Sequence, residues 1–112
     1  MPPHVDLVPR KRHDIGVPHY DIFAGEQLVG VIAQPVPFAQ REVWSWALNT
    51  IMVDGSIGIP IKGYAHSLDG AKGDFRKAFD VWLGWAMAMP TWDLKRPHID
   101  KNLKAMGVVE TD

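Results

Sequence analysis

Five histidines, His4, His13, His19, His66 and His98, are the side chains of this sequence best suited to hold a metal or move a proton. Their spacing argues against both roles. No two stand at i and i+4, and none shares a recognisable ligand spacing with a carboxylate. His13-Asp14 and the His19/Asp21 pair are near enough to meet on a folded surface. Ser45, Ser56 and Ser67 lack a nucleophile elbow or a base in reach, and Ser67 has a sufficient role as a helix cap. Asp69, Asp74 and Asp80 do not share one helical face as an acid–base dyad requires. Gly55, Gly58 and Gly63 are dispersed and lack the lysine of a phosphate loop. The expectation is a protein without catalytic, metal-binding or cofactor-binding residues, and therefore not an enzyme.

Cations and aromatics are the remaining chemistry. Arg10-Lys11-Arg12 is compatible with phosphate contacts, and Arg41 and Lys62 are the cations expected beside a sheet. These five residues are the candidate nucleic-acid contacts. Against them stand a net charge of -1 and an outer strand face of Val43, Ser45 and Ala47, which offers little for reading bases. Five tryptophans in 112 residues is well above ordinary usage. Trp44, Trp46 and Trp82 are expected to form a core cluster joining strand to helix, with Trp82 touching Trp44 or Trp46. Trp85 and Trp92 fall on the helix end or after it, where they are core if packed under the C-terminal helix, the favoured expectation, and interface anchors if exposed. Gly70, Gly73 and Gly84 point away from the apolar stripe, each weakening a helix by about 1 kcal/mol relative to alanine. Such a face admits a close backbone approach, so Gly73, Gly84, Trp85 and Trp92 are the candidate protein interface.

The elements that must position these residues are legible in the hydrophobic pattern. Ala71, Phe75, Ala78, Phe79, Trp82, Ala86 and Met89 recur at spacings of three and four, which predicts one amphipathic helix over residues 67–89. Ser67 stands at its N-cap and Pro90 ends it. Tyr20–Phe23 and Leu28–Ile32 predict a hairpin around Ala24-Gly25-Glu26. Pro35-Val36-Pro37 breaks the ladder. Trp44, Trp46 and Leu48 alternate with small residues and should meet the helix. Asp54-Gly55 is a turn signal in an apolar loop over 50–60, and Lys62–His66 is a last strand. Residues 1–18, with Pro2, Pro3, Pro9 and Pro18, are expected to form a flexible or strap-like tail, leaving 19–112 as the folded domain.

The long helix spans about 33 Å and the strands only about 20 to 23 Å, so its last turns should overhang the sheet. Ile99, Leu103 and Met106, on a short helix opened by Pro97 and stopped by Gly107, are the expected cover. The fold class is thus α+β: an antiparallel sheet of three to four strands, one long helix across a face, and a short C-terminal helix.

The order of hairpin, Trp44-Ser45-Trp46, Gly63-Tyr64-Ala65-His66-Ser67-Leu68, Ala71-Lys72 and Phe75-Arg76 resembles small uncharacterised proteins of α-proteobacteria and their prophages. The resemblance spans residues 19–82 and implies a bacterial source, but no activity and no functional residues. The βββα order is also similar to DNA-binding sheets of plant transcription factors and of phage integrase arm-binding domains, a likeness of fold alone. Zero cysteines excludes disulfides and thiolate chemistry. Met1-Pro2-Pro3-His4 lacks the apolar run of a signal peptide, and no segment reads as a membrane span, so a cytoplasmic location is expected. The resulting functional expectation is a small non-enzymatic binding or protein-interaction module, self-associating or bound to another protein. The alternative is an accessory protein that binds nucleic acid.

Overall fold

The computed structural model describes residues 4–34, 43–53 and 55–108. Among them the chain forms β1 (Leu7–Lys11), β2 (His19–Ala24), β3 (Gln27–Ala33), β4 (Trp44–Leu48), β5 (Lys62–Ala65), α1 (Leu68–Met87) and α2 (Arg96–Ala105). The strands lie in sequence order, each antiparallel to its neighbours, in one sheet. The fold is α+β, as the pattern predicts, but the sheet has five strands rather than three or four. The added strand is β1, inside the segment expected to be a tail. It pairs residue for residue with β2, from Leu7 opposite Ala24 to Lys11 opposite Tyr20. Pro9 is tolerated because β1 is an edge strand with hydrogen bonds to make on one side only. Just before it, Val5 is buried in the core. Pro35-Val36-Pro37, Arg41 and Asp54 lie outside the described residues.

The hairpin closes through a two-residue turn, Gly25-Glu26, with Gly25 at φ +60°. A side chain at Gly25 would also strike the main chain of Met106, since a Cβ there falls 2.8 Å from its carbonyl oxygen. Glu26 N–H donates to the Ala105 carbonyl at 2.9 Å, so the hairpin tip satisfies an orphan acceptor at the end of α2.

Helix α1 begins where Ser67 Oγ accepts from Gly70 N–H at 2.9 Å. It lies chiefly over β4 and β5 and buries Ala71, Phe75, Ala78, Phe79, Trp82, Leu83 and Ala86. Trp44, Trp46 and Leu48 face it, all buried. The aromatic contacts differ from the expected cluster. Trp82 stacks on Phe79 of its own helix, centroids 5.8 Å apart, and the ring meeting Trp46 is Phe75, edge-on at 6.3 Å. Trp44 is paired with Tyr20 of β2, two strands away. Glycines bound these contacts: a Cβ on Gly30 would lie 2.0 Å from the Ala47 carbonyl oxygen of β4 and 2.7 Å from Phe75 Cε2, and one on Gly63 would lie 3.1 Å from the Trp46 indole. Both rings occupy the space those side chains would fill.

The overhang is covered from within the chain. Ile99, Leu103 and Met106 are buried in the same cluster as Leu83, Ala86 and Met89. Arg96 donates to the Met89 carbonyl at 2.6 Å and the Ala86 carbonyl at 3.3 Å, and it pairs with Asp100 at 2.8 Å. A side chain from α2 thereby caps the end of α1.

Two tryptophans test this packing against each other. Trp82 Nε1–H donates to the Met52 carbonyl at 2.9 Å, whereas the buried Trp46 Nε1–H has no partner among the described residues. Replacing either by phenylalanine removes the same atoms, so the difference isolates the hydrogen bond. Trp82→Phe should be the more destabilising by about 1 to 3 kcal/mol in urea titrations. Equal losses for the two variants would show that the indole at position 82 is not so held.

Candidate functional site

One face of the sheet carries α1; the other has no described helix over it. Register places Arg10, Asp21, Val31, Ala47 and Lys62 opposite one another in a single row across all five strands. The neighbouring row runs His19, Ala33, Ser45 and Tyr64. By the alternation of strand side chains both rows lie on the face away from α1. The middle of this face is low, built from Val31, Ala33, Ser45 and Ala47, and its margins are cationic and aromatic. Arg10 stacks over Phe23 at 4.3 Å, and Tyr64 is 73% exposed at the other edge.

The structure thus places Arg10 and Lys62 of the candidate nucleic-acid set on one face of the sheet, at its opposite edges. Arg12 is occupied: its guanidinium pairs with Asp14 at 2.6 Å and with Asp21 at 3.3 Å. Lys11 sits opposite Tyr20, on the side of the sheet that α1 occupies. Arg41 lies outside the described residues.

His19, Asp21 and Ser45 share this outer face and are the residue types of a catalytic triad. Their geometry is not that of one. His19 Nε2 lies 3.1 Å from Asp21 and, facing a carboxylate, must carry its proton there. Ser45 is two strands from His19, roughly 10 Å by strand spacing, and donates its hydroxyl to the Ala33 carbonyl at 3.1 Å. Arg12, Asp14, His19 and Asp21 instead knit the β1–β2 connection closed, with Arg12 N–H donating to the His19 carbonyl at 2.8 Å. Among the described residues no three histidine or acidic side chains converge as metal ligands. No described helix is long and apolar enough to cross a membrane.

A second surface is the corner between α1 and α2. Trp92 is 80% exposed and Leu94 92% exposed. Beside them is a cleft of about 250 Å³ lined by Trp85, Ala88, Met89, Pro90, Asp93 and Lys95. Of the candidate interface residues, Trp85 lines this cleft, whereas Trp92 is not among its lining residues and stands largely exposed rather than packed under the C-terminal helix. Gly73 and Gly84 lie elsewhere along α1, and a Cβ on either would meet nothing within 4 Å, so neither makes a close contact with the described residues. Sequence reasoning missed Leu94; its signal was a bare leucine between Asp93 and Lys95 in the segment bounded by Pro90 and Pro97.

A third surface, also unforeseen, is a groove of about 650 Å³ between β1 and the start of α1. It exists because β1 is a strand, which the sequence reading had not recognised. Comparison with protein-family models, curated proteins and solved structures returns no match to this chain.

The Arg12 cluster sets a pH dependence. The hydrogen bond from Arg12, followed by one from its own backbone, holds the Asp14 carboxyl down to about 2 from an ordinary 3.8, and the paired guanidinium of Arg12 is correspondingly harder to deprotonate. A depressed carboxylate adds stability above its unfolded pKa, and that stability is lost as pH falls through about 2. In Arg12→Gln the Asp14 titration should move up toward 3.8 by NMR, the backbone hydrogen bond still holding part of the depression, and the acid-unfolding limb should flatten between these two values. An unmoved Asp14 titration would reject the pairing.

Proposed function

We propose that the protein is a small non-enzymatic binding module that associates with a second copy of itself through the α1–α2 corner. The observation that carries this reading is an exposed tryptophan beside an apolar cleft of its own size class. Trp92 projects from the surface that holds the cleft of Trp85 and Met89. Two copies related by a twofold axis can each place Trp92 in the other's cleft, the reciprocal geometry an isologous contact demands. Asp93 and Lys95, at the cleft margin, give it one charge of each sign, which suits a surface that meets itself. Exposed tryptophans in such positions dominate binding energy well beyond their area.

A second reading is supported by the Arg10–Lys62 row: an open sheet face with cations at both margins and aromatic platforms at Phe23 and Tyr64 suits a single nucleic-acid strand. It ranks lower because Asp14 and Asp21 already neutralise Arg12. A fluorescent oligonucleotide would bind with an affinity that falls steeply with salt and weakens in Arg10→Gln and Lys62→Gln.

Sedimentation velocity over a concentration series tests the first reading. The contact is small, so association should be weak and reversible. Trp92→Ala and Leu94→Ser should each sediment as monomers at concentrations where the unmodified protein dimerises, with melting temperatures unchanged because both side chains are exposed. A protein that stays monomeric throughout the series overturns it.

A further inference from the structure

The groove between β1 and α1 lies apart from the corner and has a chemistry of its own. Its accessible apolar lining is Leu7, Val8 and Pro9 of β1, above Ile22 of β2, Ile32 of β3 and Phe75 of α1, which are themselves buried. Lys72 and Arg76, one turn apart on α1, supply its cations. Arg76 is fully used within the chain. Its guanidinium pairs with Asp80 at 2.9 Å, donates to the Val5 carbonyl, and lies 3.2 Å from His4 Nδ1. Since arginine can only donate, His4 accepts at Nδ1 and turns Nε2–H toward Asp6, 3.2 Å away. The carboxylate at the groove is thereby held on the β1 side. Lys72 pairs with no described residue.

Gly73 is the second observation. It lines the groove, and a Cβ built on it meets nothing within 4 Å. Glycine here weakens an exposed helix position by about 1 kcal/mol relative to alanine. No packing constraint inside the chain requires it. What it does is keep the groove open beside Lys72.

We propose that this groove binds one small amphiphile carrying a single anionic head: a free carboxylic acid with an aliphatic or aromatic body. The body lies along Leu7, Val8 and Pro9, above the buried Ile22, Ile32 and Phe75, and the carboxylate meets Lys72. A concave, largely apolar site with one convergent charge is the ordinary anatomy of a small-molecule pocket. The floor is recessed between strand and helix, which suits a dispersed molecule rather than a lipid surface.

The test uses the whole chain, isotope-labelled, titrated with sodium decanoate and followed by amide shifts. Decyltrimethylammonium serves as the cation of equal chain length, and phosphatidylglycerol vesicles as the membrane source of anionic amphiphile. Decanoate should shift Leu7, Ile22, Ile32 and residues 72–76 saturably. Lys72→Glu should weaken it at least about tenfold. Gly73→Leu fills the groove while improving helix propensity, so it should remain folded by circular dichroism and lose decanoate binding. The proposal is overturned by equal binding of the cationic amphiphile, by unaltered binding in either variant, or by shifts centred on Trp92. Preference for vesicles, or the lack of any saturable shift, overturns it equally. None of these outcomes bears on the sedimentation of the Trp92 variants, so the two readings fail separately.

Discussion

The approach of Phe75 to the bare backbone of Gly30 sets the position of everything else. A helix packed on a sheet ordinarily rests on two layers of side chains. Here the sheet lacks a side chain under Phe75, and the ring lies where a Cβ of residue 30 would be, even as Trp46 lies over Gly63. The Trp46–Phe75 edge contact can form only in that arrangement. It draws α1 toward β4 and β5 and leaves the β1–β2 half of the same face less covered. The groove is the direct consequence of that offset. A side chain at Gly30 would strike the Ala47 carbonyl oxygen first and Phe75 next, so it would disturb the β3–β4 pairing as well as the seat of the helix.

Elements with a strong internal period were readable from the sequence. The long helix, its Ser67 cap, the hairpin, the Trp44-Ser45-Trp46 strand and the covering helix of Ile99 and Leu103 all stand where pattern put them. Each buries a regular set of side chains, so each writes its period into the sequence. Strand β1 does not. It is an exposed edge, with Val8, Pro9, Arg10 and Lys11 all facing solvent to a large degree, and its ladder is specified by β2 rather than by its own residues. An element held by main-chain bonds to a partner leaves little hydrophobic trace. The partners of the tryptophans were hidden for a related reason. Which ring meets which depends on Gly30 and Gly63, whose effect is the space they leave.

The candidate surfaces were legible in the same uneven way. Trp85 and Trp92 could be singled out by type and by their place after the helix stripe. Arg10 and Lys62 could be singled out as cations, but not as members of one row, because that row depends on four successive strand registers. The groove was invisible, since its walls join residues near 7 and near 73 across a strand that pattern did not reveal. Gly73 stood out as a place for a close helix contact, within or between chains, and among the described residues the space beside it is open.

Rigidity separates an exposed tryptophan that binds from one that merely fluctuates. Ordering a loop on association opposes binding by roughly 1 to 2 kcal/mol for each backbone residue fixed. The segment bearing Trp92 and Leu94 is ordered beforehand. Asp93 N–H donates to the Pro90 carbonyl at 3.1 Å, Arg96 N–H to the Asp93 carbonyl at 2.9 Å, and Lys95 N–H to Asp93 Oδ1 at 2.9 Å. Arg96 then fastens the far side to the end of α1. The guanidinium that completes the cover of the overhang therefore also fixes the backbone on which the exposed aromatic stands. Stability at this corner and presentation of Trp92 are two results of one set of hydrogen bonds, which is why the fold can leave so large a side chain in water without leaving it loose.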